Sequence, residues 1–136
     1  MKWRFESAEA SRAYDARHDL LAYLVSRADG QSDLGAAAMV FGELVGNVVR
    51  HAPGPIAIEL FWDRGTAVLR VRDSGPGFEW DGMVSLPEPM AESGRGLYIV
   101  HTLAQTMEIS RPPGGGTEVT AWLPISLNLR LADRAS

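Results

Sequence analysis

The sequence predicts a single α+β domain, a two-layer sandwich with helices on one face of a mixed, mostly antiparallel sheet. Three observations predict it. Two long segments repeat apolar residues at helical spacing, and several short ones alternate apolar with polar residues as half-buried strands do. Two alternating segments flank an Asp63-Arg64-Gly65 turn, which favours an antiparallel hairpin. The chain of 136 residues is 46% hydrophobic, enough for one real core.

Lys2 to Glu6 alternates and reads as a first strand. Ser7 is expected to cap the next helix, with Glu9 in its first turn. Ala13/Tyr14, Leu20/Leu21, Leu24/Val25 and Ala28 recur at amphipathic spacing, and residues 28–32 end the helix. A second helix runs from about Asp33 to Ala52, stopped by Pro53-Gly54-Pro55. Leu34, Ala37, Phe41, Leu44, Val45 and Val48 form its apolar stripe, and Glu43, Asn47, Arg50 and His51 share the opposite side. Gly42 and Gly46 interrupt that helix at ~1 kcal/mol each relative to Ala, which suggests that something approaches the backbone there.

Ile56, Ile58, Leu60 and Trp62 predict a strand, and after the turn Ala67, Leu69, Val71 and Asp73 share one face of another. Phe78 to Ser93 holds Pro87 and Pro89 and shows no periodicity; a loop of that size is more often functional than idle. Leu97, Val100, Leu103 and Ala104 mark a third helix, Met107 to Arg111 a short strand, Pro112 to Gly116 a turn, and Thr117 to Leu123 a last strand. Residues 1–125 are thus expected to form the domain, and residues 126–136 a peripheral tail.

Composition removes whole classes of function. With no cysteine there is no disulfide framework, zinc–thiolate site or cysteine chemistry. Thirteen basic against seventeen acidic residues give a net charge of −4, and no basic stripe is visible, so nucleic acid is not expected as a partner. No apolar run approaches the ~18–20 residues that span a bilayer, and the first residues lack the apolar core of a signal peptide. The expectation is a soluble cytoplasmic protein that leaves the membrane alone.

Four places could carry chemistry. Glu43, Asn47, Arg50 and His51 put a carboxylate, a carboxamide, a cation and an imidazole on one helical side. Asn47 could give a carbonyl oxygen to a hard cation, and Glu43 could take a proton from an attacking group; an ordinary solvated helix face is the alternative. Arg72-Asp73-Ser74-Gly75-Pro76-Gly77-Phe78 ends a strand with a carboxylate aimed at the core, where it needs donors such as a purine amine. Gly75 and Gly77 would let a flat base come close; a capping aspartate in a Gly-Pro turn fits the same letters. Gly94-Arg95-Gly96-Leu97 opens a helix after the long loop and could bind an anion, although Gly-x-Gly occurs in many loops. Thr117, after three glycines, could bond Asp73 or a water beside a base, or simply begin a strand.

Taken in order, E-L-V-G-N-V-V-R-H-A, R-D-S-G-P-G-F, G-R-G-L-Y-I-V and G-G-G-T-E-V-T resemble the N, G1 and G2 boxes and the closing Gly-Thr element of the GHKL (histidine-kinase-like) ATPases. The resemblance covers roughly Ser32 to Pro124. Within that superfamily the chain looks most like the stand-alone anti-sigma factor/serine-protein kinases of bacterial partner-switching systems. No preceding helical hairpin is long enough for a phosphoacceptor domain, so an ordinary sensor kinase is not expected. His18, on the first helix, reads as a surface residue rather than a phosphoacceptor.

The resemblance implies the GHKL two-layer fold and the following roles. Asn47 would coordinate Mg²⁺ on the phosphates of ATP, and Glu43 would be the general base. Asp73 would bind the adenine amine in a pocket shaped by Gly75 and Gly77. Gly94, Arg95, Gly96 and Leu97 would line the phosphates, Arg50 and His51 would lie near them, and Thr117 would close the adenine side. Residues between Phe78 and Ser93 would be the ATP lid. The implied partners are a small STAS-type anti-sigma-factor antagonist, phosphorylated on Ser or Thr, and a sigma factor or another regulator. The sheet face away from the helices offers apolar candidates for the homodimer found in that family. A nucleotide-dependent binding switch without phosphotransfer is the alternative; the presence of Glu43 favours the kinase.

Overall fold

The computed structural model describes residues 1–51, 54–73 and 92–129, with residue 51 and residues 92–95 described by backbone alone. The elements are β1 (Lys2–Glu6), α1 (Ala10–Arg27), α2 (Leu34–His51), β2 (Pro55–Asp63), β3 (Thr66–Asp73), α3 (Glu92–Leu103), β4 (Thr106–Ser110) and β5 (Thr117–Ser126). The strands form one sheet in the order β1-β2-β3-β5-β4, and each neighbouring pair is antiparallel. This is the α+β sandwich that the periodicities predict.

Period-two alternation builds the sheet's inner face. Ile56, Ile58 and Leu60 on β2, Ala67, Leu69 and Val71 on β3, and Val119, Ala121, Leu123 and Ile125 on β5 are all buried. Against them pack Ala16, Leu20 and Leu24 of α1 and Ala37, Val40, Phe41, Leu44, Val45 and Val48 of α2. Each large side chain removed from water this way stabilises the fold by ~1.5–3 kcal/mol. The β2–β3 hairpin closes through Arg64 and Gly65, at φ 52° and 83°, the left-handed pair that a two-residue turn matched to strand twist requires.

Local expectations fail where a tertiary contact claims the residue. Ser7 does not cap α1: its hydroxyl accepts a hydrogen bond from the Gly54 amide at 3.1 Å, and its own amide donates to the Gly54 carbonyl at 2.9 Å. Glu9 is the N-cap residue and makes no side-chain cap bond. Tyr14 and Val25 fall off the buried stripe and are 72% and 64% exposed. Asp33 does begin α2, its Oδ1 accepting from the Ala36 amide at 3.0 Å.

The last strand is longer than its alternation suggested. It continues through Pro124 to Ser126, because β4 stops pairing at Trp122 and the side on which proline lacks a donor has no strand beyond that point. The residues that follow are tied down: Leu127 bridges Ala28, the Asn128 amide donates to the Arg27 carbonyl, and the Ser126 amide donates to Ser32 Oγ at 2.9 Å.

Candidate functional site

Four element ends supply the candidate residues: the second half of α2, the end of β3, the start of α3 and the start of β5. Alternation along β3 keeps Asp73 in phase with Leu69 and Val71, so its carboxylate lies on the helix side, 2% exposed. Pairing of β3 with β5 sets Thr117 directly across from it, also 2% exposed. The Thr117 hydroxyl is buried and has no hydrogen-bond partner among the described residues. Leaving such a group unsatisfied costs ~1–3 kcal/mol, so a ligand that supplies a partner there is favoured.

On α2, Glu43 and Asn47 lie one turn apart on the same side. That side is not the solvated face of the sequence reading. Helix α3 packs against α2, Asn47 is 4% exposed and Glu43 is half-buried. The two helices come close at Gly96: a β-carbon built there would stand 2.8 Å from Glu43 Oε2, well inside the ~3.5–4.0 Å of ordinary contact. Only glycine lets α3 sit at that distance with the carboxylate in place.

Neither Gly42 nor Gly46 on α2 is explained by a close neighbour. A β-carbon on Gly42 would meet nothing within 4 Å, and one on Gly46 would touch only the Arg50 guanidinium at 3.7 Å. Arg50 is exposed, and His51 is the last residue of the helix.

Helix α3 begins at Glu92, two residues before the Gly-x-Gly pattern, so Gly94, Arg95, Gly96 and Leu97 lie within its first two turns. The last two residues of the expected lid, Glu92 and Ser93, belong to α3, and its residues 78–91 lie outside the described residues, as do Gly75 and Gly77. The backbone amides of residues 92–95 are the helix's four orphan donors and include those of Gly94 and Arg95. Leu97 is 2% exposed and belongs to the core.

The donor set fits a magnesium nucleotide. Asn47 offers a hard oxygen, and the Thr117 hydroxyl is open to a partner. Among the described residues no group of three or more His, Asp or Glu side chains could hold a metal unaided. A magnesium ion would thus rely on phosphate and water oxygens besides Asn47, the usual arrangement for this ion. The Gly96–Glu43 contact is the feature that sequence reading missed. Gly96 was legible only as a residue permitting phosphate approach, since its partner lies on a different helix.

Residues 32–127 match the family model described as histidine kinase-, DNA gyrase B-, and HSP90-like ATPase. The chain belongs to this family. The match takes in α2, the strands after it and α3, the elements that carry every candidate residue above. Among solved structures, the histidine kinase AdeS of Acinetobacter baumannii aligns over 94% of this chain and 68% of its own, with 17% identity and a TM-score of 0.52. The histidine kinase domain of the Escherichia coli osmosensor EnvZ aligns over 71% of this chain and 68% of its own, with 19% identity and a TM-score of 0.47. At such identity the likeness to AdeS is one of fold. No curated protein matches the chain. Among the described residues no helix is long and apolar enough to cross a membrane.

Proposed function

We propose that the chain is an ATP-dependent protein kinase of the anti-sigma-factor type, which phosphorylates a serine or threonine of a small STAS-type antagonist and so regulates transcription by partner switching. One observation supports this reading above the others. Glu43 is half-buried where α2 meets α3, its carboxylate lodged against Gly96, one turn from the buried Asn47. A module that only binds nucleotide has no need of a carboxylate placed so closely.

The residues then divide the work. Asp73 accepts the exocyclic amine of adenine, a donor that guanine lacks at that position, and Thr117 bonds beside it. The orphan amides at the start of α3 receive phosphate oxygens, favoured by the helix dipole. Asn47 would hold Mg²⁺, which would neutralise phosphate charge. The acceptor hydroxyl attacks the γ-phosphorus; a new O–P bond forms as the bond to the bridging oxygen of ADP breaks, and Glu43 takes the hydroxyl proton.

The test is incubation of the protein with γ-labelled ATP and the small antagonist-type proteins of its genomic neighbourhood. The reading expects acid-stable label on a serine or threonine of one of them. Acid-labile label on a histidine, or nucleotide binding with no transfer, would overturn it; the second result would leave a nucleotide-dependent switch.

A further inference from the structure

The β1–β2 ladder runs one step beyond its last strand pair. Ser7 and Gly54 follow Glu6 and Pro55 in register, and the Ser7 amide donates to the Gly54 carbonyl at 2.9 Å. The return bond goes to a side chain. The Gly54 amide donates to the Ser7 hydroxyl at 3.1 Å, where a regular ladder would use the next main-chain carbonyl. Both residues are half-buried. Gly54 holds φ 120°, a conformation that residues with a side chain rarely adopt, so the clasp grips a bend in the chain.

What the clasp holds is set by where Gly54 stands. It follows His51, the end of α2, by three residues and directly precedes β2. On one side of this connection is the helix that carries Glu43 and Asn47. On the other is β2, whose Ile56 lies opposite Phe5 of β1 and opposite Asp73 of β3, and Asp73 in turn lies opposite Thr117 of β5. Phe5, Ile56, Asp73 and Thr117 thus form one row across the inner face of the sheet, each no more than 5% exposed. Ser7 and Gly54 stand two residues beyond that row, at the same end of the sheet.

We propose that Ser7 is a positioning residue for the nucleotide site: by holding Gly54 it fixes the end of α2 against the row that carries Asp73 and Thr117. This inference rests on the nucleotide reading given above. Ser7 lies outside the residues 32–127 that match the family, and it acts through Gly54 rather than on the nucleotide. Close-packed interiors pass small shifts on, and a misplacement of ~1 Å in a site can cost ~10²-fold in rate. The chain also supplies a control. Ser32 Oγ accepts from the Ser126 amide at 2.9 Å, a hydroxyl clasp of the same kind. Ser126 lies opposite Thr66 at the far end of β5, nine residues from Thr117, or ~30 Å of strand.

The test compares Ser7→Ala, Ser7→Thr and Ser32→Ala in the full chain, by calorimetric Mg·ATP affinity and by backbone amide chemical shifts of the empty protein. Both alanine variants should lower the thermal midpoint, since each loses a hydroxyl clasp. Only Ser7→Ala should weaken Mg·ATP, by about three- to tenfold, and only it should move the amide signals of Asn47 and Asp73. Ser7→Thr, which keeps the hydroxyl, should restore both. Unchanged Mg·ATP affinity in Ser7→Ala, or an equal loss in Ser32→Ala, would overturn the proposal, because the clasp would then serve stability alone. Unmoved Asn47 and Asp73 signals in Ser7→Ala would overturn it as well. A wild type that binds no Mg·ATP, while Ser7→Ala still moves those two signals, would overturn the nucleotide reading and support the positioning.

Discussion

Gly96 on α3 and the Glu43 carboxylate on α2 occupy one space: a β-carbon on the glycine would stand 2.8 Å from Glu43 Oε2. The contact joins the middle of one helix to the first turns of another. The obstructed atom is the far end of a flexible side chain, so a methyl group there would displace the glutamate rather than the helix.

Gly96→Ala should therefore separate stability from chemistry. Rotating Glu43 aside costs on the order of 0.5–1.5 kcal/mol, largely offset by the ~0.5–1 kcal/mol that alanine gains over glycine inside a helix, so a denaturant titration should show little net change. Phosphotransfer should fall by ~10²-fold, because a misplaced base is a poor one. In a Glu43→Ala background the same substitution should cost less stability than it does in the wild type, by a coupling of at least ~0.5 kcal/mol.

Gly42→Ala should do the opposite. Gly42 is exposed in the interior of α2 with open space where a β-carbon would go. Alanine there should raise stability by ~0.5–1 kcal/mol, read as a shift in the thermal midpoint. Destabilisation would mean that the glycine answers to a neighbour.

How far the sequence foretold these features depended on the range of the contact. The strands were legible because each has an apolar inner face, so Ile56, Ile58 and Leu60, or Ala67, Leu69 and Val71, recur at every second residue, although Val68 on the other face is buried as well. The depth of Asp73 followed from the same phase. Ser7 misled because its hydroxyl serves Gly54, forty-seven residues away, instead of its own helix. A solvated face stayed open as the alternative for Asn47 because no pattern in α2 shows how deeply that residue is buried, and Gly46 looked constrained where Gly96 is. Helix α3 starts earlier than the Gly-x-Gly pattern suggested, since Glu92 and Ser93 carry no apolar residue to mark its first turn.

Thr117→Val should improve the empty protein and impair the loaded one. The hydroxyl is buried without a partner, so an isosteric methyl should leave stability unchanged or raise it by up to ~1 kcal/mol. If ATP provides the partner, affinity should drop by about two- to tenfold in calorimetry. A loss of stability without a change in ATP affinity would make the residue structural.

Asp73→Asn bears on the choice of base. Losing a charged acceptor for the adenine amine should weaken ATP by about ten- to a hundredfold, while GTP binds the wild type poorly. Equal affinity for ATP and GTP would show that Asp73 does not read the purine.

The central claim, that this site moves a phosphoryl group and Glu43 is its base, is tested most directly by one comparison of the wild type with Glu43→Ala. Calorimetric Mg·ATP affinity and the single-turnover rate of transfer to the antagonist are measured on the same preparations. The account predicts an affinity largely unchanged and a rate lower by ~10²–10⁴-fold, the usual share of a general base. Transfer at the wild-type rate in the variant would contradict it.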